Sequence, residues 1–420
     1  MQYDVAIVGA GSAGAATALA CARQGLKTLC LDGRSLDRAG ASWINGVPRH
    51  CFETAEIPAP EGAERRGESI PFNMIAGWGP TSIRVPSEGL LEVDMGLLVR
   101  RLQQSAIEAG AHLRGKVRAG GLTERGLETD EGEVIARVVV DASGMKGAGL
   151  LPRPPVPPER ICVAAQAIYR VSDPQAAADF FTSRGYEPGE HMVFTGIAGG
   201  YSIVNVGLHG EELSILTGSI PSLGNPSGVQ LLQRFVREHS WIGERLSGGS
   251  GPIPLSAPRL LARGRVALIG DAAGQVYSVH GSGVGAGMVA GAMLAKTLAE
   301  GGDPEDYATR WLRRHGGNFA GANLFARFSS TLDTEDLDAL LQSGLMLPGL
   351  LAAALAQRTP RLRPADLPVL LSGLAKQRHF IRRLSPTIAK MAAAEALYAT
   401  VPAHYGRQAW ERQVARLMGE

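Results

Sequence analysis

The 420-residue chain is short of cysteine, of lysine and of long apolar runs. Its four cysteines, Cys21, Cys30, Cys51 and Cys162, make no CxxC pair and no Cys/His spacing suited to zinc. That excludes a disulfide-dense secreted scaffold, and no metal site is expected. The 42 basic residues are 36 Arg and only 6 Lys, and a net charge of +2 excludes a generic polyanion-binding surface, so no nucleic-acid partner is expected. The longest apolar stretches, residues 345–356 and 288–298, are too short or interrupted by Pro348, where a membrane span needs ~20 residues. No basic stretch followed by an apolar block opens the chain, so the expectation is a cytoplasmic protein without a signal peptide, with a peripheral membrane location left open.

Glycine is what the chain has in excess: 54 residues, about 13% against a usual ~7%. Ordinary hydrophobic and charged fractions of 45% and 20% exclude disorder as its cause, and no glycine recurs at every third position as in collagen. The glycines must therefore serve particular backbone positions. The first cluster follows the apolar run Val5-Ala6-Ile7-Val8 and reads Gly9-Ala10-Gly11-Ser12-Ala13-Gly14, leading into a helical pattern. Strand, glycine turn and helix in this order suit a dinucleotide: Gly9 for the tight turn, Gly11 for approach of a pyrophosphate, Gly14 for close helix–strand packing. A second strand, residues 27–31, ends at Asp32, placed to accept hydrogen bonds from a ribose, with Gly33 and Arg34 beside it. NAD and FAD are equally compatible with this segment alone.

Two later motifs narrow the choice. An apolar strand runs into Asp141-Ala142-Ser143-Gly144, and another, residues 264–269, runs into Gly270-Asp271-Ala272-Ala273-Gly274. Gly281-Ser282-Gly283-Val284-Gly285-Ala286-Gly287 then opens a helix. The set, in this order, resembles the FAD oxidoreductase superfamily of aromatic hydroxylases, flavin-dependent halogenases and geranylgeranyl reductases. The likeness spans residues 1 to about 315 and leans to the halogenase and geranylgeranyl reductase branch, without its signature Trp and Lys motifs.

The resemblance implies an α/β fold: a Rossmann-like FAD-binding domain (residues 1–48, 88–150 and 251–315), an inserted antiparallel β-sheet substrate domain (49–87 and 151–250), and a C-terminal helical cap (316–420). It implies that Asp271 meets the FAD hydroxyls, that backbone at Gly281, Gly283, Val284 and Gly285 meets the flavin or the pyrophosphate, that Val117 contacts adenine through its backbone, and that Ala142, Gly144 and Gly270 lie against the cofactor. His280, just before the glycines, is the candidate acid or base, histidine titrating near neutrality. His50 beside Cys51 lacks any group to orient the pair.

Residues 162–171, 191–196, 201–208 and 213–220 read as strands, with Tyr169, Phe194, Tyr201 and Asn205 as candidate cavity residues. Helical patterns follow at 307–314, 334–343, 350–357, 367–377, 386–398 and 405–418. Residues 351–420 hold 11 Lys/Arg against 4 Asp/Glu, a charge of +7 that leaves −5 for the rest. Such a cap suits an acidic partner protein or an anionic membrane face.

The leading expectation is an FAD-dependent monooxygenase that hydroxylates an aromatic or other electron-rich substrate through a flavin C4a-hydroperoxide, in a biosynthetic or peptide- or cofactor-modifying pathway. The alternative is a prenyl alkene reductase, followed by a halogenase or a non-oxidative flavoenzyme. The substrate is a small molecule, a carrier-bound group or a peptide. Electrons come from NAD(P)H directly, or through a separate flavin reductase or ferredoxin.

Overall fold

A computed structural model describes residues 2–360, 363–376 and 378–419. Its central layer is a parallel sheet in the order Val266–Leu268, Gly132–Asp141, Gln2–Val8, Thr28–Asp32 and His112–Gly115. Helices cover the central strands, which is why Val5 to Val8 and Thr28 to Asp32 are buried throughout and read as continuous apolar runs. The helices Ser12–Arg23 and Val284–Ala299 lie against one another through small residues: a Cβ on Gly291 would come within 2.5 Å of Thr17 Oγ1, and one on Gly287 within 3.0 Å of Ala13 Cβ. Substituting either glycine would push the helices apart. Because all five strands run the same way, Gly9, Asp32, Ala142 and Gly270 emerge along one edge of the sheet.

Opposite that edge stands a seven-stranded sheet ordered Ile242–Pro254, Ile161–Val171, Glu212–Ser219, Ile203–His209, His191–Thr195, Phe72–Ala76 and Ser82–Val85. It is antiparallel except where His191–Thr195 pairs parallel with Phe72–Ala76. Its outer face buries Phe180, Phe194, Phe235 and Trp241 under two helices. A three-stranded sheet, Ile44–Pro48, Leu90–Asp94 and Arg65–Glu68, joins the two larger layers. The α/β fold with a β-rich insertion and a helical C-terminus matches the sequence reading. The long strand Ile242–Pro254 escaped it, since eight of its thirteen residues are Gly, Ser or Pro.

The helical region differs more from expectation. Pro304–Trp311 continues through a π turn, Leu312–Gly316, into the helix Gly317–Ser329. No helix is expected there, because Gly316-Gly317 and Gly321 read as breakers. Tertiary contact overrides that propensity: Gly316 and Gly317 lie so close to Tyr398 and Glu395 of the helix Arg378–Ala399 that any Cβ would overlap those side chains. The patterns at 307–314, 334–343, 350–357, 386–398 and 405–418 take form as Pro304–Trp311, Thr334–Gln342, Pro348–Leu355, Arg378–Ala399 and Arg407–Met418. Leu367–Lys376 is helical, while Gln377 lies outside the described residues. No helix among the described residues is long and apolar enough to cross a membrane.

Candidate functional site

A large cavity of about 1060 Å³ begins at the glycine edge of the parallel sheet and continues between the seven-stranded sheet and the C-terminal helices. Ligand pockets run to ~300–1,000 Å³, and this one lies at the upper end of that range.

Backbone shapes its first half. Gly9 has φ +103°, and a Cβ there would overlap the Ala142 carbonyl; a Cβ on Gly14 would overlap the Gly9 carbonyl oxygen. The first turn of the Ser12–Arg23 helix is uncapped by any side chain, so the N–H groups of Ser12 and Ala13 face the cavity without an intrahelical partner. Asp32 is buried, accepts from Ala10 N at 2.9 Å and Arg34 N at 2.8 Å, and keeps free lone pairs toward the cavity. Asp141 organises the Ala142-Ser143-Gly144 turn by accepting from Ser143 Oγ at 2.6 Å and Ala148 N at 2.8 Å. Gly270 N donates to Gln275 Oε1 at 2.7 Å, and Gln275 is in turn held by Tyr307, so the loop bearing Asp271 is anchored in the core. Burial raises the Asp271 pKa above the usual carboxylate value.

Of the residues expected around the cofactor, Gly9, Gly11, Ser12, Ala13, Asp32, Gly33, Arg34, Ala142, Gly144, Gly270, Asp271, Gly281, Gly283 and Val284 line this cavity. Three do not. Gly14 sits one turn inside the helix and acts by letting it approach the strand. Gly285 packs on Cys51, whose Sγ a Cβ would meet at 2.6 Å. Val117 is buried with its N–H donated to Asp32 O at 3.0 Å, and its neighbour Arg118 lines the cavity instead. Lys146 is a lining cation the sequence reading passed over; its signal was the position directly after Asp-Ala-Ser-Gly-Met.

His280 and Tyr201 also line the cavity. Tyr201 Oη donates to Ser278 O at 2.6 Å, and burial pushes its pKa well above 10. Ser282 N donates to His280 Nδ1 at 3.3 Å. Burial lowers the His280 pKa to about 4; the Ala354 backbone favours the charged form but makes no well-formed hydrogen bond with Nε2. Burial thus favours the neutral imidazole, which of the two expected roles, acid or base, suits the base. Of the four candidates on the sheet, Tyr201 alone reaches the cavity: Phe194 and Tyr169 belong to the opposite aromatic core, and Asn205 meets His191. His50 Nδ1 lies 3.8 Å from Cys51 Sγ, and burial holds that thiol up at about 12, so the pair offers no nucleophile.

The far half is apolar. Phe325 and Ala326 from the unexpected helix, Leu337, Leu340 and Leu341 from Thr334–Gln342, and Met74 and Met346 enclose it.

Similarity to known proteins follows the same division. Digeranylgeranylglycerophospholipid reductase 2 of Methanopyrus kandleri is 28% identical over 373 residues, 82% of this chain and 90% of its own length. The digeranylgeranylglycerophospholipid reductase of Sulfolobus acidocaldarius is 23% identical across 100% of this chain and 98% of its own. A geranylgeranyl bacteriochlorophyll reductase-like structure from Thermoplasma acidophilum superposes with TM-score 0.72 at 19% identity, covering 92% of this chain and 99% of that one. The flavin-dependent brominase Bmp2 superposes with TM-score 0.65 at 16% identity, over 90% of this chain and 100% of that one. No protein-family model matches the chain.

Proposed function

The chain belongs to the FAD-dependent oxidoreductase superfamily that includes geranylgeranyl reductases and flavin halogenases, and from that premise we propose that it saturates carbon–carbon double bonds in the prenyl chains of a lipid. The observation carrying this reading is the continuity of the cavity. A polar, glycine-walled half opens past His280 and Tyr201 into a bore of Phe, Leu and Met side chains, which suits a long hydrocarbon better than a phenol or indole. The relatives from Methanopyrus kandleri and Sulfolobus acidocaldarius are named as reductases, which does not favour the monooxygenase expectation.

The site fits FAD in the physical sense that a Cβ at Gly9, Gly14 or Gly283 would strike backbone where the cradle must stay open. Asp32 and Asp271 are placed to accept from hydroxyls, while the Ser12 and Ala13 N–H groups, Arg118 and Lys146 offer positive charge to a pyrophosphate. FAD supplies two-electron reducing chemistry when bound. The chain itself positions and excludes water: the bore desolvates the alkene, His280 offers a neutral imidazole, and Tyr201 stays protonated because burial raises its pKa.

The lipid must come from somewhere, and the basic cap accounts for its source. Leu367, Val369 and Leu371 are 50%, 47% and 65% exposed in the +7 C-terminal stretch, a combination suited to resting on an anionic bilayer face. The test is direct. Chemically reduced protein, incubated anaerobically with a geranylgeranylated glycerophospholipid, should yield product with fewer double bonds. Intact alkene under those conditions, with oxygen insertion in air, would overturn the reading in favour of hydroxylation.

A further inference from the structure

A second cluster lies outside this cavity, where the seven-stranded sheet meets the three-stranded one. His191 and His209 belong to neighbouring antiparallel strands, with His191 paired to Gly207. Directly opposed residues share a face and alternate residues return to it, so Asn205, Gly207, His209 and His191 all point to one side. Gly207 clears the space between the two rings: a Cβ there would come within 2.6 Å of His191 Cε1 and 3.4 Å of His209 Nε2. Glu92 enters from the other sheet, on the strand Leu90–Asp94, and is buried. Its register partner Gly67 is likewise cleared, since a Cβ there would come within 2.9 Å of Glu92 Oε2. The three ligand atoms all lie within 4.8 Å of one another.

We propose that Glu92, His191 and His209 bind a divalent transition metal, with zinc the best match, as a staple between the two sheets. Two imidazoles and one carboxylate are donors suited to zinc rather than to magnesium or calcium, which take oxygen. His191 Nδ1 is 3.0 Å from Asn205 Oδ1. With Nδ1–H donated there, Nε2 makes a direct contact with the Glu92 carboxylate; a metal ion would take the place of the Nε2 proton in that contact, the two side chains parting to admit it. This is also how metal-bound histidines are oriented by a partner behind the ring. Stacking of Phe72 on His191, centroids 4.8 Å apart, fixes the ring plane.

His209 Nε2 is buried without a hydrogen bond and lies 3.6 Å from Glu92 Oε2. That is close to the ~3.4 Å edge of a tetrahedron with bonds of ~2.1 Å. The neighbouring Arg66 is ion-paired with Glu212. The His209 side chain is 29% exposed, so water can reach the fourth position. No spacing rule could reveal this set, because its members come from three distant segments.

The full-length protein, stripped with a chelator and then equilibrated with Zn²⁺, should retain one zinc per chain by elemental analysis. His209→Ala and Glu92→Gln should each weaken zinc at least ~100-fold in competition with a chromophoric chelator, and zinc should raise the melting temperature of the parent protein but not of His209→Ala. Unchanged flavin content in His209→Ala reports that the variant has folded. Asp303→Asn, in the exposed Asp303, Asp306 and His404 cluster, should leave the stoichiometry intact. Retention of no zinc, equal retention by His209→Ala, or loss with Asp303→Asn overturns the proposal. A zinc-edge anomalous peak among the three side chains in parent crystals, or its absence, decides the matter without any variant.

Discussion

The two halves of the cavity are built on different principles. The nucleotide half is made of backbone: glycines with no Cβ, a bare helix N-terminus and two carboxylates. The far half is made of side chains from Met74, the helix Gly317–Ser329, the helix Thr334–Gln342 and Met346. A backbone cradle tolerates almost no substitution at its glycines, whereas an apolar bore tolerates exchange among hydrophobic residues of similar volume. One half can therefore stay fixed while the other is retuned, which is consistent with one fold serving proteins named as reductases and as brominases.

The sharpest way to break this contrast is to put a side chain in the cradle. Gly14→Val should cost about 3 kcal/mol of stability or more, because its Cβ would overlap the Gly9 carbonyl, and the protein should purify without flavin colour. Yellow, soluble protein with an unchanged melting temperature would contradict the backbone account.

Acid acts on two buried histidines, His280 on the cavity and His315 in the π turn Leu312–Gly316. His280 and His315 have folded pKa values lowered by burial to about 4 from 6.5. The unfolded state therefore binds protons first, and stability present above pH 6.5 is lost as the pH falls toward 4. Each histidine should account for roughly 3 kcal/mol, measured as a fall in denaturant midpoint across that window. In the double variant His280→Gln, His315→Gln, the slope should flatten; an unchanged slope would show that the two rings do not govern it.

A gentler probe is Leu337→Phe, which narrows the bore. It should raise KM for a long prenyl lipid about tenfold, ~1.4 kcal/mol, with flavin affinity unchanged. A parallel loss of flavin would mean the halves are not separable. The smallest effect belongs to His280→Ala, expected to lower kcat/KM by about fivefold, the worth of one hydrogen bond near 1 kcal/mol, with a pH profile flat from 5 to 8. A limb near neutrality in the parent that vanishes in the variant would restore His280 as an acid.

The same division explains what could be read from the sequence. Gly9, Asp32, Ala142 and Asp271 were legible because each sits at a strand end in a local strand–turn pattern, so position and role coincide. The bore was illegible because its residues are ordinary leucines, and because the helix that carries Phe325 begins at two glycines that local propensity reads as a break. His280 was legible as a position but not as a charge state, which depends on its burial by surrounding elements. The Glu92, His191 and His209 group depends on the register of strands from two sheets, which no single segment encodes.

The glycine contacts at Gly316 and Gly317 carry a last consequence. They press the helix Gly317–Ser329 directly on Tyr398 and Glu395, with Gly321 facing Met391, while Phe325 and Ala326 of the same helix form the wall of the bore. A wall clamped from behind by backbone contact has no slack to take up. Under the proposed function the bore is then a gauge rather than a ruler, sorting hydrocarbon chains by girth. Turnover measured across a series of prenyl chains should change little with added isoprene units and fall sharply with added branching.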